Sequence, residues 1–100
     1  MNYFSLHNKA PKASFKEAVI NGLAPDKGLY FPENITPLSK YFFENIDTFS
    51  NEEIAFEVIK QFVGSDISEN RLKEIIQETI NFKFPVIPIT ENIATLELFH

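Results

Sequence analysis

The stretch Ser14-Phe-Lys-Glu-Ala-Val-Ile-Asn-Gly-Leu-Ala-Pro-Asp-Lys-Gly-Leu-Tyr-Phe-Pro32 organises the chain around it. Ser14 and Glu17 stand at capping-box spacing, where each side chain can satisfy a backbone N–H at a helix start. Phe15, Ala18 and Val19 then fall on one helical stripe. Gly22 sits where the helix needs a left-handed residue to stop; Leu23 is expected to fold back on the last turn, and Pro25 bars resumption. Pro25-Asp26-Lys27-Gly28 reads as a turn, with Pro fixing φ and Gly28 taking φ > 0. Leu29, Tyr30 and Phe31 suit a short strand that Pro32 closes. Taken alone, the stretch is a well-punctuated helix–turn–strand.

Working outward, 100 residues make one modest domain with a single core. A hydrophobic content of 44% with only 3 Gly excludes a disordered or fibrous chain. The aromatic set is lopsided, with 11 Phe, 3 Tyr and no Trp, so the chain must pack tightly or offer apolar surface to a partner. A formal charge of −5 argues against nucleic acid or an anionic membrane as partner. Lys9, Lys12 and Lys16 form a small basic cluster that reads as a solvated edge. The absence of cysteine rules out disulfides and thiolate zinc sites and fits a reducing, cytoplasmic setting. Met1-Asn-Tyr-Phe-Ser has the marks of no signal peptide, and no apolar run approaches the ~20 residues of a membrane span. The Asn34-Ile35-Thr36 glycosylation pattern therefore carries no weight.

In chain order, Asn2–Leu6 reads as a strand and His7–Ala13 as a loop, with His7 exposed in it. Thr36-Pro37 suggests an N-cap with Pro at the first helical position, opening two turns whose apolar face is Leu38, Tyr41, Phe42 and Ile46. Ser50 and Glu53 form a second capping box before a helix over 51–64. Its stripe of Ile54, Ala55, Val58, Ile59 and Phe62, widened by Phe56 and Val63, is broad enough to be covered on two sides. Asp66-Ile67-Ser68 opens a helix over 69–81, with Leu72, Ile75, Ile76 and Thr79 inward and Ile80 beside them. Its outer charges include a favourable Glu69–Lys73 spacing. Phe82 to Ile89 carries Pro85 and Pro88, so it is an extended apolar segment barred from a central strand. Thr90-Glu91-Asn92 is a turn, and 94–100 alternate like a strand that ends without cap or tail, as in an interrupted fold. The fold class is α+β: three to four helices with a few short strands.

The chain offers no nucleophile–base pair, glycine-rich phosphate loop or metal spacing. Glu52-Glu53 is the nearest carboxylate dyad, and acids at a helix start are explained by the macrodipole. Capping explains Ser14 and Ser50. With one other histidine in the chain, His7 has no metal partner set.

Residues 15–32 resemble the N-terminal region of threonine synthases, and Leu96-Glu-Leu-Phe-His100 looks like the run those enzymes carry just before their cofactor segment. Stretch 51–84, with Phe84 ahead of a proline, is similar to the same region, so the likeness covers essentially the whole chain. Many members have a second glycine where this chain has Lys27, a departure that bears on turn geometry. Many also carry an arginine near the start, where this chain has Ser5-Leu6-His7-Asn8; that puts in doubt a substrate contact from the N-terminal arm.

The resemblance implies a larger α/β fold of the tryptophan-synthase-β type that uses pyridoxal phosphate, with residues 1–100 as its N-terminal domain. The full enzyme converts O-phospho-L-homoserine and water to L-threonine and phosphate, and the cofactor acts as an electron sink held by a lysine. That lysine is expected beyond His100, in a catalytic domain that would be this chain's partner, so no catalytic or substrate-binding residue is assigned here. His100 alone is placed near the cofactor site. Phe82, Phe84 and Phe99 are expected to meet the catalytic body, which would leave the isolated piece inactive and prone to self-associate. The rival reading is a free-standing helical module that presents a Phe-rich groove to a partner helix.

Overall fold

Four serines start the four helices. The side chains of Ser14, Ser39, Ser50 and Ser68 accept the N–H of Glu17, Phe42, Glu53 and Arg71, and so satisfy amides that a helix start leaves without partners. The computed structural model describes residues 1–98; Phe99 and His100 lie outside the described residues. The elements run β1 (Tyr3–Ser5), α1 (Phe15–Asn21), β2 (Tyr30–Pro32), α2 (Lys40–Glu44), a 3-10 turn (Ile46–Thr48), α3 (Asn51–Val63), α4 (Glu69–Thr79), β3 (Val86–Thr90) and β4 (Ile93–Leu96). This is the expected α+β class.

Strand β1 pairs antiparallel with β2, Tyr3 opposite Pro32 and Ser5 opposite Tyr30. Its other side meets Ala13, which exchanges two backbone hydrogen bonds with Tyr3 at 2.8 and 2.9 Å. Between these partners α1 begins in a complete capping box and ends at Gly22. There φ 70° and ψ −64° form a γ-turn closed by Leu23 N–H on Asn21 C=O. Leu23 does not fold back on the helix as expected; it is half exposed and bridges Leu29.

The following turn also differs from expectation. Ala24 and Gly28 close a three-residue loop, Ala24 N–H to Gly28 C=O at 3.0 Å, and the left-handed residue is Lys27 at φ 64°, not Gly28. A loop of this length places a left-handed residue third, a position that suits glycine better than lysine.

Helix α2 starts at Lys40, not at Pro37. Thr36 caps nothing: its N–H donates to Gln61 Oε1 at 2.8 Å and ties the connector to α3. Ser39 is the cap, its Oγ accepting the Phe42 N–H at 3.1 Å. Ile46 falls in the 3-10 turn that follows, while Phe42 stacks on Phe49 at 5.6 Å.

Helices α3 and α4 form a helical hairpin around Val63, Leu72 and Ile76, with Phe15, Ala55, Phe56, Ile67 and Ile80 packed against them. The broad stripe of α3 is covered on one side only, since Val58 and Ile59 remain exposed. Glu69 and Lys73 do not pair. Arg71 bonds Glu74 at 2.8 Å, and the Lys73 ammonium sits 5.0 Å over the Phe56 ring.

Segment 86–96 folds into an antiparallel hairpin, Val86 opposite Leu96, with a register shift near Pro88. Two strands have only edges, so Pro88 is tolerated there.

Replacing Lys27 with Gly relieves the left-handed strain but adds unfolded-chain entropy, so the net gain is at most about 1 kcal/mol. Urea unfolding of K27G checks it; a loss of stability would show the lysine side chain to be needed.

Candidate functional site

The densest polar cluster joins Ser5, His7, Lys9, Asp26 and Gly28. Ser5 is fully buried and donates its hydroxyl to Asp26 Oδ1 at 2.6 Å. Gly28 N–H reaches the same oxygen at 3.0 Å, and Lys9 N–H reaches Oδ2 at 2.9 Å. The His7 ring nitrogen Nδ1 lies 3.0 Å from the Asp26 backbone carbonyl, while His7 N–H donates to Ser5 Oγ at 3.2 Å. The Ser5 hydroxyl, followed by those N–H donors and the nearby His7, holds the Asp26 carboxyl below its ordinary pKa.

These residue types also make catalytic triads, but the connectivity here is different. Serine bonds the carboxylate directly, the imidazole is not between them, and Ser5 is fully buried, so its hydroxyl is not presented to a substrate. The cluster is a lock that fastens the 24–28 turn to β1 and the loop after it. Gly28 is required for space: a Cβ there would come within 2.1 Å of Ser5 Oγ and 3.0 Å of His7 N. Reading along the chain sees Ser5 as a strand residue, His7 as exposed and Asp26 as a turn residue. Asp26 at the second loop position was the one local signal for the cluster.

Several other charged groups pair with one another or with the backbone. Lys12 pairs with Glu33, Lys60 with Glu57 and Lys40 with Glu44, and Lys16 N–H donates to Asp66 Oδ2 at 2.7 Å. Along the Lys9–Lys12–Lys16 edge, the Lys12 side chain is ion-paired and the backbones of Lys9 and Lys16 are bonded. Among the described residues no group of three or more His, Cys, Asp or Glu could hold a metal ion. Among the described residues no helix is long and apolar enough to cross a membrane.

Two depressions flank α3. One, of about 780 Å³, is lined by Tyr41, Phe42, Phe49 and Phe56 together with polar residues such as Ser50 and Glu53, with Lys73 over Phe56. The other, of about 590 Å³, runs between α3 and α4 past Val58, Ile59 and Ile75 to Phe84. Phe84 meets Phe82 edge-on at 5.9 Å. The serines on the first depression, Ser39 and Ser50, are engaged as helix caps, and Glu53 accepts the Ser50 N–H.

The family model described as threonine synthase N terminus matches residues 2–80. The chain belongs to the threonine synthase family. It is 34% identical to the threonine synthases of Pseudomonas aeruginosa and Schizosaccharomyces pombe, covering all of this chain and 22% and 21% of theirs. Its fold superposes on threonine synthase from Escherichia coli with a TM-score of 0.89 at 26% identity. On the PLP-bound threonine synthase from Brucella melitensis the score is 0.90 at 30% identity. Each structural match covers all of this chain and 23% of the solved one. The chain thus spans between a fifth and a quarter of the threonine synthases it matches.

A depressed carboxylate pKa adds stability that is complete above the ordinary carboxylate value, near pH 4, and is lost as pH falls through the folded value. Asp26→Asn removes that contribution and faces Lys9 N–H with a donor or unseats the Ser5 bond. Unfolding by urea should show the variant less stable at pH 7, with the gap closing toward pH 3. A gap that does not depend on pH would remove the carboxylate's charge from the lock.

Proposed function

We propose that this chain is the N-terminal, non-catalytic domain of a cytoplasmic threonine synthase. The full polypeptide would convert O-phospho-L-homoserine and water to L-threonine and phosphate with pyridoxal phosphate. One observation carries the reading: similarity runs the whole length of this chain, in sequence and in fold, yet takes up less than a quarter of each relative.

The described residues do not fit as holders of the cofactor. Its aldehyde needs a lysine amine in a cleft and its phosphate a cradle of N–H donors. Lys12, Lys40 and Lys60 are paired with carboxylates and Lys73 is set over a ring. The reacting amine would belong to a catalytic domain that follows residue 100; His100, outside the described residues, is the one residue of this chain assigned near the cofactor site. Pyridoxal phosphate, when bound there, supplies the electron sink. This domain contributes cover and part of the entrance, with Phe82, Phe84 and Phe99 meeting the catalytic body.

In the assay, the full-length protein with pyridoxal phosphate releases phosphate and threonine from O-phosphohomoserine, and residues 1–100 alone release neither. Borohydride reduction with the cofactor leaves no single lysine of 1–100 labelled. One stoichiometrically labelled lysine would put the chemistry in this domain.

Exposed apolar surface gives a second outcome. The isolated 1–100 chain self-associates or binds an apolar dye, read by light scattering and dye fluorescence; a monodisperse monomer that binds no dye would mean these phenylalanines need no cover.

A further inference from the structure

The hairpin of β3 and β4 has the least complete surroundings in the molecule. All of its residues are exposed, and the two strands pack chiefly on each other. Its side chains are apolar on both faces: Val86 and Leu96 lie on one, and Ile87 on the other by alternation. A near-continuous apolar run of this kind belongs to strands buried on both sides, and a bare two-stranded ribbon is marginal in water.

Two whole-molecule quantities agree. The radius of gyration is 16.9 Å, against about 13 Å for a compact chain of this length. The accessible surface is 7723 Å², against roughly 5,800 Å² for a compact monomer of 11.5 kDa. The excess is more than one partner's share, about 800 Å², of a standard interface.

The ladder decides which edge is receptive. Glu97 N–H donates to Pro85 C=O at 3.0 Å, so these two form a bonded pair. By antiparallel alternation Ile87 and Thr95 form the next one, and the backbone groups of Val86, Pro88, Ala94 and Leu96 turn outward. Pro88 has no N–H, which blunts the outer edge of β3 at its middle. The outer edge of β4 keeps its donors and acceptors at Ala94 and Leu96. At the other end of the chain, β1 is already bonded on both sides, by Ala13 and by β2. The outer edge of β2 is blunted as β3's is, by Pro32, which has no N–H, so the sheet edge with unbroken donors and acceptors belongs to β4.

We infer that a β-strand from the remainder of the enzyme pairs with the outer edge of β4 at Ala94 and Leu96, and that the same body covers both faces of the hairpin. This rests on the reading of the chain as one domain of a longer threonine synthase. The occupant follows from length, since the relatives carry more than three quarters of their chain beyond the matched region. The main-chain ladder would supply the contact and the apolar faces the burial.

Amide hydrogen exchange on the full-length enzyme tests it, with the amides of Ile87 and Thr95 as internal references. The Ala94 and Leu96 amides should exchange at least 100-fold more slowly than in an unstructured peptide. Exchange at peptide rates, with Ile87 and Thr95 protected, overturns the inference. Protection that disappears when subunits are diluted apart would assign the edge to a second copy and overturns it too. A further pair of variants reads the two edges: Ala94→Pro should lower the unfolding temperature of the full enzyme more than Val86→Pro, its outward-facing counterpart on the blunted edge. Equal shifts, or a larger one for Val86→Pro, count against it. Threonine formation is assayed on the same preparation. Protected amides without threonine would sink the enzymatic reading and leave the strand pairing intact; threonine formed with free amides would do the reverse.

Discussion

Tyr3 holds the strand half of this chain to its helical half. Its backbone is bonded to Ala13 on one side and stands opposite Pro32 on the other. Its ring lies 6.1 Å from that of Phe15, the first residue of α1. Its hydroxyl donates at 2.7 Å to the carbonyl of Phe62, one of the α3 carbonyls that a helix end leaves without an internal partner. Burial pushes the phenol pKa up, so the group remains a neutral donor. Two other ties run the same way: Lys16 N–H at the start of α1 to Asp66, and Thr36 N–H to Gln61. Each satisfies an amide that local structure leaves open, and each fixes a connector to the helical hairpin.

The core these ties surround is thin. Val63, Leu72 and Ile76 are its buried centre, and partly exposed neighbours complete it. A chain of this size has little surface to spare, and much of this one's apolar inventory lies outside. Val58 and Ile59 on α3 and the whole β3–β4 ribbon are exposed. Membership of the threonine synthase family gives that surplus a physical place, because the chain is a small share of each relative. Side chains that would be a liability on a free domain suit one that rests against a larger body.

The polar chemistry agrees. The one cluster that brings serine, histidine and aspartate together spends its hydrogen bonds on shape. Asp26 gathers a buried hydroxyl and two backbone amides, and so holds a turn whose third residue is left-handed without being glycine. Charges elsewhere pair along helix surfaces, where they contribute little beyond solubility.

The sequence by itself determined what short-range chemistry controls. Capping boxes at Ser14 and Ser50 started their helices where the spacing placed them, and Gly22 and Gly64 stopped them. A cap needs only residues three apart, so the information is local. The family was legible too, through motifs set in order along 15–32 and 96–100. Tertiary structure alone decided the rest. Ser39, not Thr36, caps α2, and Gln61, 25 residues away, takes the Thr36 amide. Ser5, His7 and Asp26 met because β1 and β2 pair, and Lys73 left Glu69 for the face of Phe56. Each of those choices is a competition between a near partner and a distant one, and only the folded geometry sets how far away the distant one is.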